Sequence, residues 1–600
     1  MLSSVAALMV DKGTLGGSTL ASWTPLVALL IAYAMAVVAL LAFGQPAPSG
    51  WGALQPLSRI PDSLKRLTGV PGWAAAAIGT ALFGLLVAGQ GFYADVSWHI
   101  ALGRDKDLFT APHASILIGL VLLVAGAVLG TLFATFEGVE PAVRVGALRI
   151  PPSLLPLWAL GIGAVIGFPI DNVWHGEYGV DVTMWSPPHM LMILGATFTG
   201  LAAWLILAGA GVRPTDGGWA RGLHVFCGWL TLQGLVAPQG EFAFGVPQFN
   251  ALFSPILIGL AGGLALITMR IVLGRGWGFG IVAVNFLVLV TNPLGGGGGD
   301  PVSTRFGGTF LVSALAVEAL AVVLGTTKTV RFAAASGLAI GTVGLAGEWV
   351  WNQDAYQPWS SAMAPEAVVF GTIGAIGAAL LGVALARAIA ARGDLQPVRG
   401  GILAMAAVMC LAVILIPMRR PTGDVTASIR TEPGATSGTA FIVATLAPTD
   451  AAEHASWFQA MAWQGGGLEL ADMHPTGRPG EYRSTKPIPV GDTVDGQRSF
   501  WKAMLRLHRG MEMMAVPLHL PADPDIHEAE ISAVGTTAPF GSEKRYLLRE
   551  TTDGNAWLSP AVHLSLVAVV ALWALAFVTA VRSLDPRASR DRERPLTADV

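Results

Sequence analysis

The chain has 600 residues, of which 53% are hydrophobic and 12% charged, about half the charge content of a soluble domain. That balance excludes an ordinary soluble enzyme and describes an integral membrane protein, and a net charge of −3 with no basic tract offers nothing to nucleic acid. The two cysteines, Cys227 and Cys410, both lie in apolar segments. Disulfide frameworks and thiolate metal clusters are therefore excluded, and any metal must be held by imidazole, carboxylate, thioether or backbone groups.

In chain order, apolar runs that could cross a bilayer as helices fall at about 24–44, 73–94, 112–135, 153–170, 188–209, 220–238, 251–273, 277–295, 309–327, 330–350, 364–386, 400–418 and 560–581. The first has no short h-region with a small-residue cleavage site, so it reads as a retained helix. Loops bearing Arg59, Lys65 and Arg66; Arg144 and Arg149; Arg213 and Arg221; Arg270 and Arg275; Lys328 and Arg331; and Arg387, Arg392 and Arg399 occupy alternate sides. The positive-inside rule makes that side cytoplasmic, and the tail with Arg587, Arg590, Arg592 and Arg594 falls there too. The expected fold is an all-α polytopic membrane protein of about thirteen transmembrane helices, built from repeated helical hairpins, with an extracytoplasmic β-sandwich domain before the last helix. Its parts are a membrane domain (1–418), the β-domain (419–559), a last helix (560–582) and a cytoplasmic tail (583–600). The chain is expected to be multi-pass in the cell membrane, with its N-terminus and β-domain outside.

Between the second and third helices stands DVSWHIALGRDKDLFTAPH, and between the fourth and fifth DNVWHGEYGVDVTMWSPPH. Asp95, Trp98, His99, Gly103, Asp105, Pro112 and His113 correspond, at identical spacing, to Asp171, Trp174, His175, Gly179, Asp181, Pro188 and His189. Equal spacing in equivalent places on successive hairpins indicates internal duplication. A third copy is degenerate: Glu348, Trp351, Asn352, Pro365 and Glu366 keep the spacing but replace both histidines. A fourth, around Glu241, Phe242 and Pro255, has no residues of ligand grade. The loop Gly295 to Asp300 is glycine-rich but lacks the Lys-Ser/Thr of a phosphate loop, so a flexible external turn is expected.

Asp95 and His99 are four residues apart, as are Asp171 and His175, so a continuing helix presents each pair on one face. His113 and His189 each follow a proline suited to the first turn of the next helix, which returns a second imidazole to the same mouth. Two imidazoles and a carboxylate with open positions suit copper, and zinc and iron accept the same donors. Taken singly, each copy reads equally well as a polar helix end with its aromatic belt; the duplicated spacing favours the metal reading.

The first stretch resembles the copper-site segment in the C subunit of the particulate methane and ammonia monooxygenases, where Asp, three residues on, Trp-His leads to an Arg-Asp-rich stretch and Thr-Pro-x-His. The resemblance covers about twenty residues per copy. It implies copper ligands at Asp95, His99 and His113, with Arg104, Asp105, Phe109 and Thr110 as matching context, and Asp171, His175 and His189 in the second copy, which lacks the Arg-Asp pair. Trp98, Arg104, Asp105, Trp174 and Asp181 are candidate supporting residues around these ligands. This sequence departs from the family pattern in having one residue more between the two histidines and proline directly before the second.

From Ala427 to about Glu550, short alternating runs with Gly/Pro turns predict a β-sandwich, at fold level similar to the cupredoxin-like domains of the same family's B subunit. Within it His508, Met511, Met513, Met473 and His474 offer a soft set suited to Cu(I), although alternating methionine in a strand is more often core filler. His224 and His563 read as hydrogen-bonded packing residues.

Three functions compete: a copper-dependent monooxygenase-like oxidase acting with dioxygen on a small apolar or ammonia-like substrate; copper acquisition and transfer; and a non-metal transporter or scaffold. The recognisable charged sites stand at one mouth in parallel repeats, with Glu318 alone deep in a helix, which favours a metal site over a through-route. The lipid bilayer is the expected partner, with membrane partner subunits or a homo-oligomer as the expected assembly.

Overall fold

The computed structural model describes residues 22–44, 52–102, 108–140, 142–178, 183–243, 249–291, 308–353, 358–415, 424–491, 493–494, 496–498, 500–522, 528–547 and 554–584. Arg104, Asp105, Asp181 and the glycine-rich loop lie outside the described residues. Each predicted apolar segment falls on a helix: α1 (Thr24–Phe43), α2 (Gly72–Leu102), α3 (Ala111–Phe136), α4 (Leu155–Tyr178), α5 (Pro187–Gly209), α6 (Gly218–Val236), α7 (Phe253–Leu273), α8 (Trp277–Thr291), α9 (Leu311–Leu324), α10 (Thr329–Asn352), α11 (Ala364–Ala390), α12 (Gly400–Leu415) and α13 (Leu558–Leu584). Among the described residues nine are long and apolar enough to cross a membrane, namely α1 to α5, α7, α10, α11 and α13, while α8, α9 and α12 are shorter apolar helices.

Two boundaries differ from the hydropathy reading in a way that matters. Helix α2 continues to Leu102 and α4 to Tyr178, past the expected ends near 94 and 170. Hydropathy locates the edge of the apolar layer, whereas a helix ends where its backbone hydrogen bonds end. The extra turns carry Asp95, His99, Asp171 and His175 above the apolar body.

Lipid tails are as apolar as leucine, so helix pairs in a bilayer are held by close backbone approach at small residues. Helices α2 and α3 meet in this way: a Cβ added to Gly119 would lie 2.5 Å from the Ala88 nitrogen, and one on Gly126 2.8 Å from the Ala77 carbonyl oxygen. One continuous buried core runs from Trp73 and Leu123 through Trp204 and Leu266 to Phe332 and Leu385. The last helix, α13, returns to the first half of the membrane domain, where Trp573 Nε1 donates to the Ala159 carbonyl at 2.7 Å.

The separate sheet domain precedes α13. Its strands are β1 (Thr426–Pro433), β2 (Thr439–Ala447), β3 (Ala455–Trp463), β4 (Leu468–Pro475), β5 (Glu481–Ser484), β6 (Ile488–Pro489), β7 (Lys502–Arg509), β8 (Glu512–His519), β9 (Thr537–Pro539) and β10 (Gly541–Ser542). All pair antiparallel in the order β9-β1-β2-β5-β4-β3-β7-β8-β10, with β6 on β2. The expected pair of sheets is therefore one continuous sheet whose two halves close on a shared core, Ile442 and Ala444 from one half meeting Phe458, Leu505 and Val516 from the other. The antiparallel β4–β5 pairing, from Met473 opposite Ser484 to Pro475 opposite Tyr482, is the seam that joins the halves.

Alternation along β7 sends Ala503, Leu505 and Leu507 into that core and Met504, Arg506 and His508 to the opposite face. This second face is also buried. Arg506 pairs with Glu543 at 2.7 Å, and burial raises the Glu543 carboxyl above its ordinary range. His508 stacks on Trp457 with ring centroids 5.2 Å apart. Burial, reinforced by the Arg506 charge, pushes the His508 imidazole down from 6.5 to about 4, so it is neutral in the folded chain. Unfolding returns it to its ordinary basicity, so stability it confers is present above pH 6.5 and lost as pH falls towards 4. His508→Phe is expected to remove this sensitivity. Thermal unfolding between pH 7 and pH 4 should show the wild-type sheet domain losing up to about 3 kcal/mol more than the variant, and parallel losses would refute the assignment.

Candidate metal centre

Helix α2 carries Asp95 and His99 one turn apart near its end, and Pro112 places His113 in the first turn of α3 after Thr110. One ligand atom from each of the three lies within 4.8 Å of the others. Asp95 bridges the imidazoles: Oδ1 is 3.1 Å from His113 Nε2, and Oδ2 is 3.7 Å from His99 Nδ1. Helices α4 and α5 repeat the construction, with Pro187 and Pro188 opening α5 after Ser186. Asp171 Oδ1 is 3.3 Å from His189 Nε2, and Oδ2 is 3.3 Å from His175 Nε2. Each carboxylate thus points one oxygen at the histidine of its own helix and the other at that of the next. The copies differ in one atom, since His99 turns Nδ1 towards its aspartate and His175 turns Nε2.

Each triad closes because two helices come unusually near just below it. A Cβ at Gly91 would lie 2.8 Å from the Pro112 carbonyl oxygen, and one at Gly167 would lie 3.1 Å from the Pro188 carbonyl oxygen. These glycines are four residues before Asp95 and Asp171, and Phe92 and Phe168 follow them, so the repeat extends upstream of the motif read from sequence. The Phe168 ring meets the His113 ring edge-on at 6.4 Å. Because Phe168 is one turn before Asp171 on α4, it stands between the first triad and the second.

In the second triad the backbone fixes an imidazole. His189 Nδ1–H donates to the Thr183 carbonyl at 2.8 Å, which directs Nε2 at Asp171. A ligand histidine held through its other ring nitrogen is the usual outer arrangement of a metal site. Trp174 lies between Tyr178 and His563 of α13, at ring-centroid distances of 4.6 and 6.1 Å, and Trp98 is half-buried on α2. Gln464 Nε2, at the β3–β4 turn, donates to the His99 carbonyl at 3.2 Å, so the sheet domain lies on the side of the membrane domain that bears the first triad.

The remaining expected residues distribute differently. Met473 fills the core between the sheet halves, its neighbour His474 is exposed, and His508 lies opposite Met513 across the β7–β8 pair on the second face. Met511, in the turn between those strands, joins the membrane-domain core. The soft set is therefore divided: His508 and Met513 share one face, while Met473 lies in the core on the other and His474 is exposed.

In the third copy, buried Glu348 accepts from Thr309 N at 2.8 Å, Thr309 Oγ1 at 2.9 Å and Phe310 N at 2.6 Å, and Asn352 accepts from Trp359 N at 2.5 Å. Its polar groups anchor loops. His224 accepts from Trp204 Nε1 at 2.8 Å and donates to the Val212 carbonyl at 3.1 Å, as expected of a packing residue. Glu318 pairs with Arg270 in the last turn of α7 at 2.8 Å and accepts from Gly276 N in the following loop at 3.0 Å. It stands mid-way along α9, as expected, and from there caps the end of α7.

No family model matches this chain, and no curated protein or solved structure matches it significantly.

Gly91→Val is expected to push α2 from α3 at the triad and to cost about 1–3 kcal/mol. Gly79 on the same helix faces open space, so Gly79→Val is the control. Thermal unfolding in detergent checks this: equal losses from both substitutions would remove the close approach as the device that closes the site.

Proposed function

We propose that the chain is a copper-binding membrane protein, each Asp-His-His triad holding one ion, and that it acts as a monooxygenase-like oxidase on a small apolar or ammonia-like substrate. The observation that carries the metal reading is the duplication: two hairpins independently aim one carboxylate and two imidazoles at one point, each within 4.8 Å. A polar loop needs no such convergence, and a buried-edge carboxylate between two imidazoles is costly unless its partners hold charge or a cation. Two neutral nitrogen donors and one anionic oxygen, with further positions open, suit copper. The resemblance of the first stretch to a copper segment adds the oxidase chemistry.

Bound copper would supply one-electron exchange with dioxygen. The residues themselves do the rest. Asp95 and Asp171 offset cationic charge, the histidines fix the donor geometry, and the apolar helices beneath admit an uncharged substrate from the bilayer. The positive-inside pattern supports an orientation with both triads and the sheet domain on the extracytoplasmic side of a cell membrane crossed by about thirteen helices, and with the Arg-rich tail inside. Partner subunits or a second copy in the membrane would complete the enzyme. A second reading, copper acquisition and transfer, draws on the hydrogen bond from Gln464 to the His99 carbonyl, which sets the sheet domain beside the first triad.

Metal analysis of the purified full chain tests the proposal. Wild type should carry about two copper ions, and Asp95→Ala/His113→Ala and Asp171→Ala/His189→Ala about one each. Unchanged metal in both double variants would sink the metal reading, and zinc or iron at the same stoichiometry would replace copper. Oxygen uptake with small hydrocarbons or ammonia then separates oxidase from carrier, since a carrier consumes none.

A further inference from the structure

The loop that fixes His189 is itself held from outside its hairpin. Thr183, Met184 and Trp185 lead into α5, and all three are gripped by the segment that follows α6. Glu241, only 4% exposed, lies in the short helix Gly240–Ala243. Its Oε2 accepts from Met184 N at 3.0 Å and from Thr183 Oγ1 at 3.2 Å. Thr183 Oγ1 in turn accepts from Trp185 N at 3.0 Å. The Trp185 indole donates to the Pro238 carbonyl at 2.9 Å, and its ring is enclosed by Phe242, Phe249 and Phe253 at centroid distances of 5.6, 4.7 and 5.6 Å. The Thr183 carbonyl then takes the His189 Nδ1 proton at 2.8 Å.

We propose that Glu241 is a positioning residue for the second triad: through the Thr183–Met184 turn it holds His189 in the Nδ1–H tautomer, with Nε2 presented to the metal. This rests on the metal reading above and adds a residue from a hairpin that supplies no ligand. A carboxylate accepting from a backbone amide and a hydroxyl at once fixes both the direction and the rotation of the turn. A carbonyl so fixed selects one imidazole tautomer, because only a protonated Nδ1 can meet it. Glu348 gathers Thr309 and Phe310 in the same manner, so both degenerate copies use their carboxylate as a loop clamp. The Glu241 clamp touches residues 183 to 185, which lead only into His189, so the first triad serves as an internal reference.

The test uses the full-length protein in detergent. With His99→Ala/His113→Ala removing the first triad, copper(I) is titrated against a chromophoric chelator. Adding Glu241→Ala is expected to weaken binding about 10- to 100-fold, as loss of an outer partner of a ligand histidine does. Glu241→Gln, whose amide oxygen still accepts from Met184 N, should recover most of it. Thr183→Val keeps the carbonyl and loses the hydroxyl, so a several-fold loss is expected, and it replaces Glu241→Ala should that variant fail to fold. Affinity within about twofold of the parent for Glu241→Ala, or unchanged for Thr183→Val, while His189→Ala abolishes binding, would overturn the proposal.

A second readout does not need the metal. In metal-free protein labelled with 15N-histidine, the resonances lost in His189→Ala should report a fully protonated Nδ1 in wild type and a partly protonated one in Glu241→Ala. Identical Nδ1 protonation in both would refute the positioning role. A parent that binds no copper yet shows the change at Nδ1 would refute the metal reading and support the clamp.

Discussion

Everything at the mouth of this protein depends on how near two helices come where no hydrophobic force draws them together. In lipid, the attraction between α2 and α3, or between α4 and α5, is the dispersion and weak polar contact available when backbones touch. Gly91 and Gly167 permit that contact beside the carbonyls of Pro112 and Pro188. One turn above, the separation is small enough for a short aspartate on one helix to reach a histidine on the other. A longer carboxylate could bridge a wider gap, but with more rotamers to lose on ordering, so the glycine and the aspartate are two halves of one solution. The proline then sets where the second helix begins, and hence the height at which its imidazole stands.

Much of this architecture was legible in the residues. Helix positions followed from apolar length, and the i, i+4 spacing of Asp95 with His99 and of Asp171 with His175 placed each pair on one face. Pro-His marked the start of the returning helix, and the duplication brought the two readings into agreement. What stayed hidden were contacts between segments distant in sequence. Gly91 and Gly167 were visible as letters four places before each aspartate, yet nothing in either helix alone says that a proline carbonyl lies opposite. Thr183 and Glu241 are 58 residues apart and share no pattern. Two sheet layers on one core were foreseen but not their join at the β4–β5 seam, because alternation shows which residues face a core but not whether the strands lining it form one sheet or two. The soft set is divided for a related reason: His508 and Met513 share the second face, whereas Met473 lies in the core between the sheet halves and His474 is exposed.

The degenerate copies show what a duplicated hairpin becomes when its histidines are lost. Glu348 and Glu241 keep a buried carboxylate, and burial without a cation demands other partners. They find them in backbone amides and threonine hydroxyls of adjoining loops. A carboxylate that gathers amides stiffens a loop at modest cost, which suits a membrane domain whose sites are set by loop and helix-end geometry.

Phe168 gives the array a direction. The ring that precedes the second aspartate reaches back to the second histidine of the first triad, so the second hairpin contributes an aromatic contact to the first. Phe92 has no earlier histidine to meet, and the hairpin after the second triad supplies the Glu241 clamp on the turn before His189. The two centres are thus distinguishable by position alone: one has an aromatic neighbour supplied from downstream, the other a tethered imidazole. Ligand sets duplicated in unlike surroundings would, under the proposed metal reading, hold their ions at unlike affinity or potential, because the groups around a ligand tune its metal.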